Sequence, residues 1–161
     1  MLSIPDDPEL ADQTLVIVNA PDHLLSVAMM WPMRLLEGMT MPQRLRGLAT
    51  QGAALEIARV DERTLKIGFE YRLYSTALDW MFRGPDRPLE TGQVVELDGM
   101  SVEVTEVTAA GEPLEVLFRF DRPLEDSSLR WVRWDDGVFI PFSPPPPGVT
   151  VKLPVPRGPF S

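Results

Sequence analysis

His23 is the only histidine in the 161-residue chain, it stands beside Asp22, and there is no cysteine anywhere. A Ser/His/Asp relay would have to run through His23, yet no Gly-x-Ser-x-Gly elbow occurs to present a serine. At the expected start of a helix, a histidine next to an aspartate reads as a surface or capping group. The same two absences remove thiol catalysis, disulfide frameworks and zinc sites built from cysteine or several histidines. Asp135 and Asp136 lack the spaced acidic loop of calcium modules, so a hairpin turn explains them better. No catalytic residue, no metal site and no cofactor is assigned.

Carboxylates leave one chemistry open. Glycoside hydrolysis needs two acids held about 5–10 Å apart, a separation set by the fold. With 24 Asp and Glu residues many pairs are available, and nothing in their spacing selects one. Glu103, Glu106 and Glu115 fall where alternation points side chains outward, which solvation explains. Arg83-Gly84-Pro85-Asp86-Arg87 has an anion-binding look but lacks the several glycines and the following helix that cradle phosphate. A net charge of −9 without clustered Lys and Arg argues against nucleic acid as a partner.

What remains is a surface. Met29, Met30, Met33, Met39 and Met41 place five of the eight methionines within thirteen residues, with Trp31 among them. Flexible, polarisable thioethers suit adaptable contact with a membrane protein or a lipid surface. The competing reading packs the same residues across an open sheet face. Pro144 to Pro147 similarly form either a polyproline II ligand for an aromatic groove or a rigid connector ending a hairpin.

The elements that must position these residues follow from periodicity. Thr14 to Asn19 is a continuous, β-branched apolar run, as expected of a strand covered on both faces. Asn19-Ala-Pro-Asp22 supplies cap and first-turn chemistry for a helix over about 22–37, stopped by Gly38 and kinked or split at Pro32. Its narrow polar stripe is His23, Ser26, Arg34 and Glu37. From about Arg44 the period becomes two. Asp98-Gly99 predicts a two-residue type I′ turn pairing Leu97 with Met100 and Val95 with Val102. Asp136-Gly137 as a two-residue turn sets Trp134 opposite Phe139 and Trp131 opposite Phe142. Around Asp61 to Thr64 the turn does not settle the pairing. Ser75 to Arg83 is read as a helical turn carrying Trp80 and Phe82 inward.

The expected fold is therefore mainly β: an antiparallel sandwich or partly open barrel of about eight short strands, with one kinked N-terminal helix packed on it. Residues 1–13 read as an acidic flexible arm, 14–153 as a single β-rich domain, and 154–161 as a Pro-rich tail. Neither a signal peptide nor a stretch long enough to span a bilayer is visible, so the chain as given reads as soluble.

Several ordered motifs run together: Val-Asn-Ala-Pro-Asp at 18–22, Phe-Arg-Gly-Pro at 82–85, Gly92-x-x-Val-x-Leu-x-Gly99-x-x-Val-x-Val104, Pro123-Leu-Glu-Asp-Ser-Ser-Leu-Arg-Trp131, and Pro141-Phe-x-Pro-Pro with Gly148 shortly after. In this order they resemble the C-terminal soluble domain of a group of uncharacterised bacterial polytopic membrane proteins, over most of the chain after about residue 13. That group carries no assigned reaction, so no functional residue follows from it. The resemblance implies a module outside the bilayer, membrane-tethered and extracytoplasmic within a longer parent chain. The expectation for function is a non-catalytic accessory or interaction domain, with Met29, Met30, Trp31, Met33, Met39 and Met41 as its contact surface. The alternatives are an enzyme acting on glycan or lipid-linked substrates through paired carboxylates, and a small-ligand-binding β-barrel, which requires an apolar cavity of at least roughly 300 Å³.

Overall fold

A run such as Leu15-Val-Ile-Val18 has no polar face to offer water, so it needs neighbours on both sides of the sheet and on both of its faces. In the computed structural model, which describes residues 4–22, 27–50, 52–70, 89–109 and 111–158, it forms the buried centre of a sheet. Among the described residues the protein is mainly β, with ten strands in two sheets and one regular α-helix. Neither sheet closes into a barrel. The chain divides into two compact units, one holding each sheet.

The first unit comprises residues 1–52, 126–143 and 156–161. Its four strands are β1 (Thr14–Asn19), β2 (Arg44–Ala49), β8 (Leu129–Asp135) and β9 (Val138–Pro141), in the order β2-β1-β8-β9. The expectation of antiparallel pairing fails here: β1 runs parallel to both β2 and β8. Parallel neighbours need a long crossover, and between β1 and β2 it contains the helix α1 (Met30–Leu36). The β8–β9 hairpin is as expected, with Trp134 opposite Phe139 at 5.0 Å between ring centroids and Trp131 near Phe142 at 6.3 Å. Asp136 (φ 43) and Gly137 (φ 97) both take the left-handed backbone that this mirror-image turn demands.

Among the described residues the regular helix of this unit runs over Met30–Leu36, and Met29 caps it without a side-chain bond; of the expected span of about 22–37, residues 23–26 lie outside the described residues. Pro32 lies in its first turn, where the missing amide costs nothing. The Asn19 side chain, expected to supply cap chemistry, is engaged in the sheet: its Oδ1 accepts the buried Trp134 amide at 2.8 Å, extending the β1–β8 ladder by a side chain. The acidic segment, read from charge alone as a solvated arm, buries Ile4 and Leu10 against Leu15, Ile17, Val132 and Phe139. Its apolar residues outweigh its charge, and Asp6 and Asp7 both find donors, the Thr40 amide for Asp6 and the Glu9 amide and Arg130 for Asp7.

The second unit comprises residues 53–125 and 144–155. It contains β3 (Leu55–Asp61), β4 (Thr64–Phe69), β5 (Val94–Leu97), β6 (Met100–Val107), β7 (Pro113–Phe120) and β10 (Thr150–Leu153), ordered β10-β3-β4-β7-β6-β5 and antiparallel throughout. Alternation buries Leu55, Ile57, Leu65, Ile67, Val116 and Phe118 on one face. The β5–β6 register is the expected one. Its turn is not type I′, because of Asp98 and Gly99 only the glycine has positive φ (80°). Asp61 pairs with Thr64 after an irregularity next to Arg59, which settles the hairpin the turn residues left open. The expected helical turn at 75–83 lies outside the described residues.

Candidate functional site

A seven-residue helix is too short to persist by propensity, so tertiary contacts decide which side of it faces the protein. Met30 and Arg34, four apart and hence on one face, are the buried residues of α1. Arg34 is 3% exposed, and its guanidinium donates to three backbone contacts. Nη1 reaches the Ile4 carbonyl at 2.7 Å, while Nε and Nη2 reach the Thr40 carbonyl at 3.1 and 2.7 Å. Asp6 stands 3.9 Å from Nη2 and accepts the Thr40 amide at 2.8 Å. That amide, with the Arg34 charge nearby, holds the Asp6 carboxyl below its ordinary value.

Anchoring through Arg34 turns the apolar side of the helix outward. Met29, Trp31, Met33, Leu35 and Leu36 are exposed, Leu36 to 84%. This inverts the usual amphipathic arrangement, in which the apolar stripe is inside. Of the six residues that the sequence nominated, Met29, Trp31 and Met33 are exposed, Met30 is withdrawn into the core, and Met39 and Met41 are half-buried. Leu35 and Leu36 belong to the surface although composition did not single them out, and Arg34 leaves the expected polar stripe for the interior. No local signal announces this, since one acceptor of Arg34 lies thirty residues away at Ile4.

Among the described residues, each unit carries a cavity beside its sheet. In the first unit, a cavity of about 310 Å³ is walled by Ile4, Pro5, Trp131, Val132, Phe139 and Pro141, with Arg130 as its charged member. Arg130 Nη2 lies 2.7 Å from Asp7 Oδ2 and 3.8 Å from Glu9 Oε2. Asp7 also accepts the Glu9 amide at 3.0 Å, so that amide and the Arg130 guanidinium hold its carboxyl below the ordinary range. In the second unit, a cavity of about 350 Å³ opens on the polar sheet face above Gly68, edged by Glu56, Glu70, Glu106 and Glu115. Lys66 stands 3.9 Å from Glu115, and Lys152 stands 3.9 Å from Glu70. Glu56, Glu70 and Glu106 are exposed and Glu115 half-buried, so water reaches all four. The arrangement offers no buried acid of the kind that glycoside hydrolysis uses.

The remaining candidates are placed as follows. Asp135 and Asp136 form the β8–β9 turn. His23 and the segment 83–87 lie outside the described residues. The second unit also has a clamp that sequence reasoning did not find. Arg59 Nη2 meets Glu125 at 2.8 Å, Nη1 bonds the same carboxylate, and the guanidinium also donates to the carbonyls of Asp61 and Glu62. The Arg59 hydrogen bonds pull the Glu125 carboxyl down. Among the described residues no helix is long and apolar enough to cross a membrane. Neither protein-family models, nor curated proteins, nor solved structures yield a match to this chain.

Proposed function

We propose that the chain is a non-catalytic interaction domain that seats the outward face of α1 in an apolar groove of a protein partner. The observation that carries this reading is the exposure of Met29, Trp31, Met33, Leu35 and Leu36 on one short helix whose single charged residue is buried. Aromatic residues and methionine are enriched in the desolvated centres of protein interfaces, and charged residues are depleted there. Helices that lie on lipid instead carry Lys and Arg along their polar side. α1 exposes no basic residue, and a chain of net charge −9 is repelled by anionic headgroups. The motif resemblance supports a membrane-embedded protein as the partner, with this domain tethered outside the bilayer.

Photo-crosslinking side chains at position 33 or 36, compared with position 94 in the other unit, test the assignment in the native cell. Positions 33 and 36 are expected to join one protein of the membrane fraction, and position 94 is not. Met33→Asp combined with Leu36→Asp abolishes the adduct formed through a crosslinker at position 29 while thermal unfolding stays within about 2 °C, because both residues are already exposed. Equal crosslinking from position 94 would refute the surface. Sedimentation of the native chain with phosphatidylcholine vesicles, lost in the double variant, would reassign it to lipid.

A further inference from the structure

The Trp131/Phe139 cavity of the first unit has a chemistry of its own, independent of α1. About 310 Å³ is at the lower end of the volumes that hold small organic ligands. Its walls are aliphatic, aromatic and prolyl, surfaces that bury an apolar body without leaving a polar group unmatched. One charged side chain completes it. Among the described residues, Asp7 and Glu9 both approach Nη2 of Arg130, which leaves Nε and Nη1 without a protein acceptor. A guanidinium presents its donors as a planar fork suited to a two-oxygen anion.

We infer that this cavity binds a small organic acid with an aromatic or otherwise flat apolar body. The body lies between Ile4, Pro5, Val132 and Phe139, and the acid group meets the open edge of Arg130. Asp7 is then a built-in competitor. Its carboxylate neutralises the same guanidinium at 2.7 Å, and with side chains 27% and 31% exposed the pair exchanges partners without stranding a buried charge. Arg130 therefore selects for an anion, and Asp7 holds the affinity down. The cavity is bounded on one side by the segment carrying Ile4 and Asp7, so ligand and N-terminal segment compete for one set of contacts.

Two fluorescent probes separate these contributions: 1-anilinonaphthalene-8-sulfonate, an aromatic body with an anion, and N-phenyl-1-naphthylamine, the same body without it. The native full-length chain is expected to bind the sulfonate about tenfold more tightly than the neutral probe, the size of one charge-assisted hydrogen bond. Arg130→Gln removes that preference, whereas Asp7→Asn raises sulfonate affinity several-fold and leaves the neutral probe unchanged. In the native chain, nuclear Overhauser contacts run from the probe's ring protons to the methyl groups of Ile4 and Val132. Equal affinity for the two probes, or a sulfonate affinity indifferent to Arg130→Gln, overturns the anion selectivity. Overhauser contacts to Met33 and Leu36 instead of Ile4 and Val132 would place the dye on α1 and overturn the site.

Discussion

The two sheets of this protein are assembled by different means. In the six-stranded sheet, β3–β4, β5–β6 and β6–β7 are hairpins between consecutive strands, and an alternating apolar face supplies the cohesion. In the four-stranded sheet only β8–β9 is a hairpin; β1 finds β2 across the α1 crossover and β8 from more than a hundred residues away. There the long-range contacts are fastened by side chains bonding to backbone: Asn19 to the Trp134 amide, Arg34 to the Ile4 and Thr40 carbonyls, and the Trp134 indole to the Arg157 carbonyl at 2.8 Å. A region held by alternation tolerates polar change and suffers from cavities. A region that also relies on fasteners is vulnerable in addition to the loss of a single polar side chain.

The largest expected effect tests the first half of that contrast. Phe118 is fully buried, opposite Leu65 in β4 and Val102 in β6. Phe118→Ala is expected to cost about 3–5 kcal/mol, since lost transfer energy and an unfilled cavity add. Amide hydrogen exchange should accelerate through β3, β4, β6 and β7 and leave the amides of β1 and β8 protected. Equal loss of protection in β1 would show that the two sheets open together, and the contrast would then describe construction but not stability.

Arg34→Met tests the second half. It retains most of the buried volume and removes a charged donor, so the Ile4 and Thr40 carbonyls lose their partners. About 2–3 kcal/mol of local stability is expected to go. The loss should appear as faster exchange of the Glu37 amide, which closes α1 on the Met33 carbonyl at 3.0 Å. Amides of β3 and β4 serve as the unaffected reference. A cost below about 0.5 kcal/mol would mean that apolar contacts of Met30 and Val27 hold the helix without the fastener.

The same contrast explains how much could be read from the sequence. Hairpin registers at Asp98-Gly99 and Asp136-Gly137 were legible because turn residues and alternation are neighbours in the chain and agree. The turn at Asp98 still took a different backbone form, which shows that register is set by the facing side chains more than by turn type. β1 was legible as a doubly covered strand from its composition, but not its parallel partners, because periodicity carries no information about which strand lies alongside. The outward face of α1 was half legible. Methionine clustering pointed to positions 29, 31 and 33, while the rotation that exposes Leu35 and Leu36 depends on Arg34 reaching carbonyls at Ile4 and Thr40. The cavity beside Arg130 had no local signature, being made from an N-terminal segment and a hairpin far apart in sequence.

Acid sharpens the comparison with the smallest effect. Asp6 and Asp7 tie the N-terminal segment to the first unit, and Asp61 and Glu125 brace the β3–β4 turn of the second. All four carboxyls are held below their ordinary values: Asp6 by the Thr40 amide, Asp7 by the Glu9 amide and Arg130, Asp61 by the Arg63 amide, and Glu125 by Arg59. A carboxyl lowered in the folded protein stabilises it fully above the unfolded value, here 3.8 for the aspartates and 4.5 for the glutamate. That contribution drains away as pH falls through the folded value. Both regions should therefore hold steady above those values and weaken below them, modestly, because these groups are solvent-exposed and screened by salt. Asp7→Asn should flatten the acid response of amides in the N-terminal segment and leave the β3–β4 turn unchanged, and Glu125→Gln should do the reverse. Carboxyl carbon shifts followed by NMR give the decisive reading. If Asp7 titrates at or above 3.8, neither the Glu9 amide nor Arg130 holds it in solution, and the N-terminal segment owes its place to the burial of Ile4 and Leu10 and to the Arg34 and Asp6 contacts.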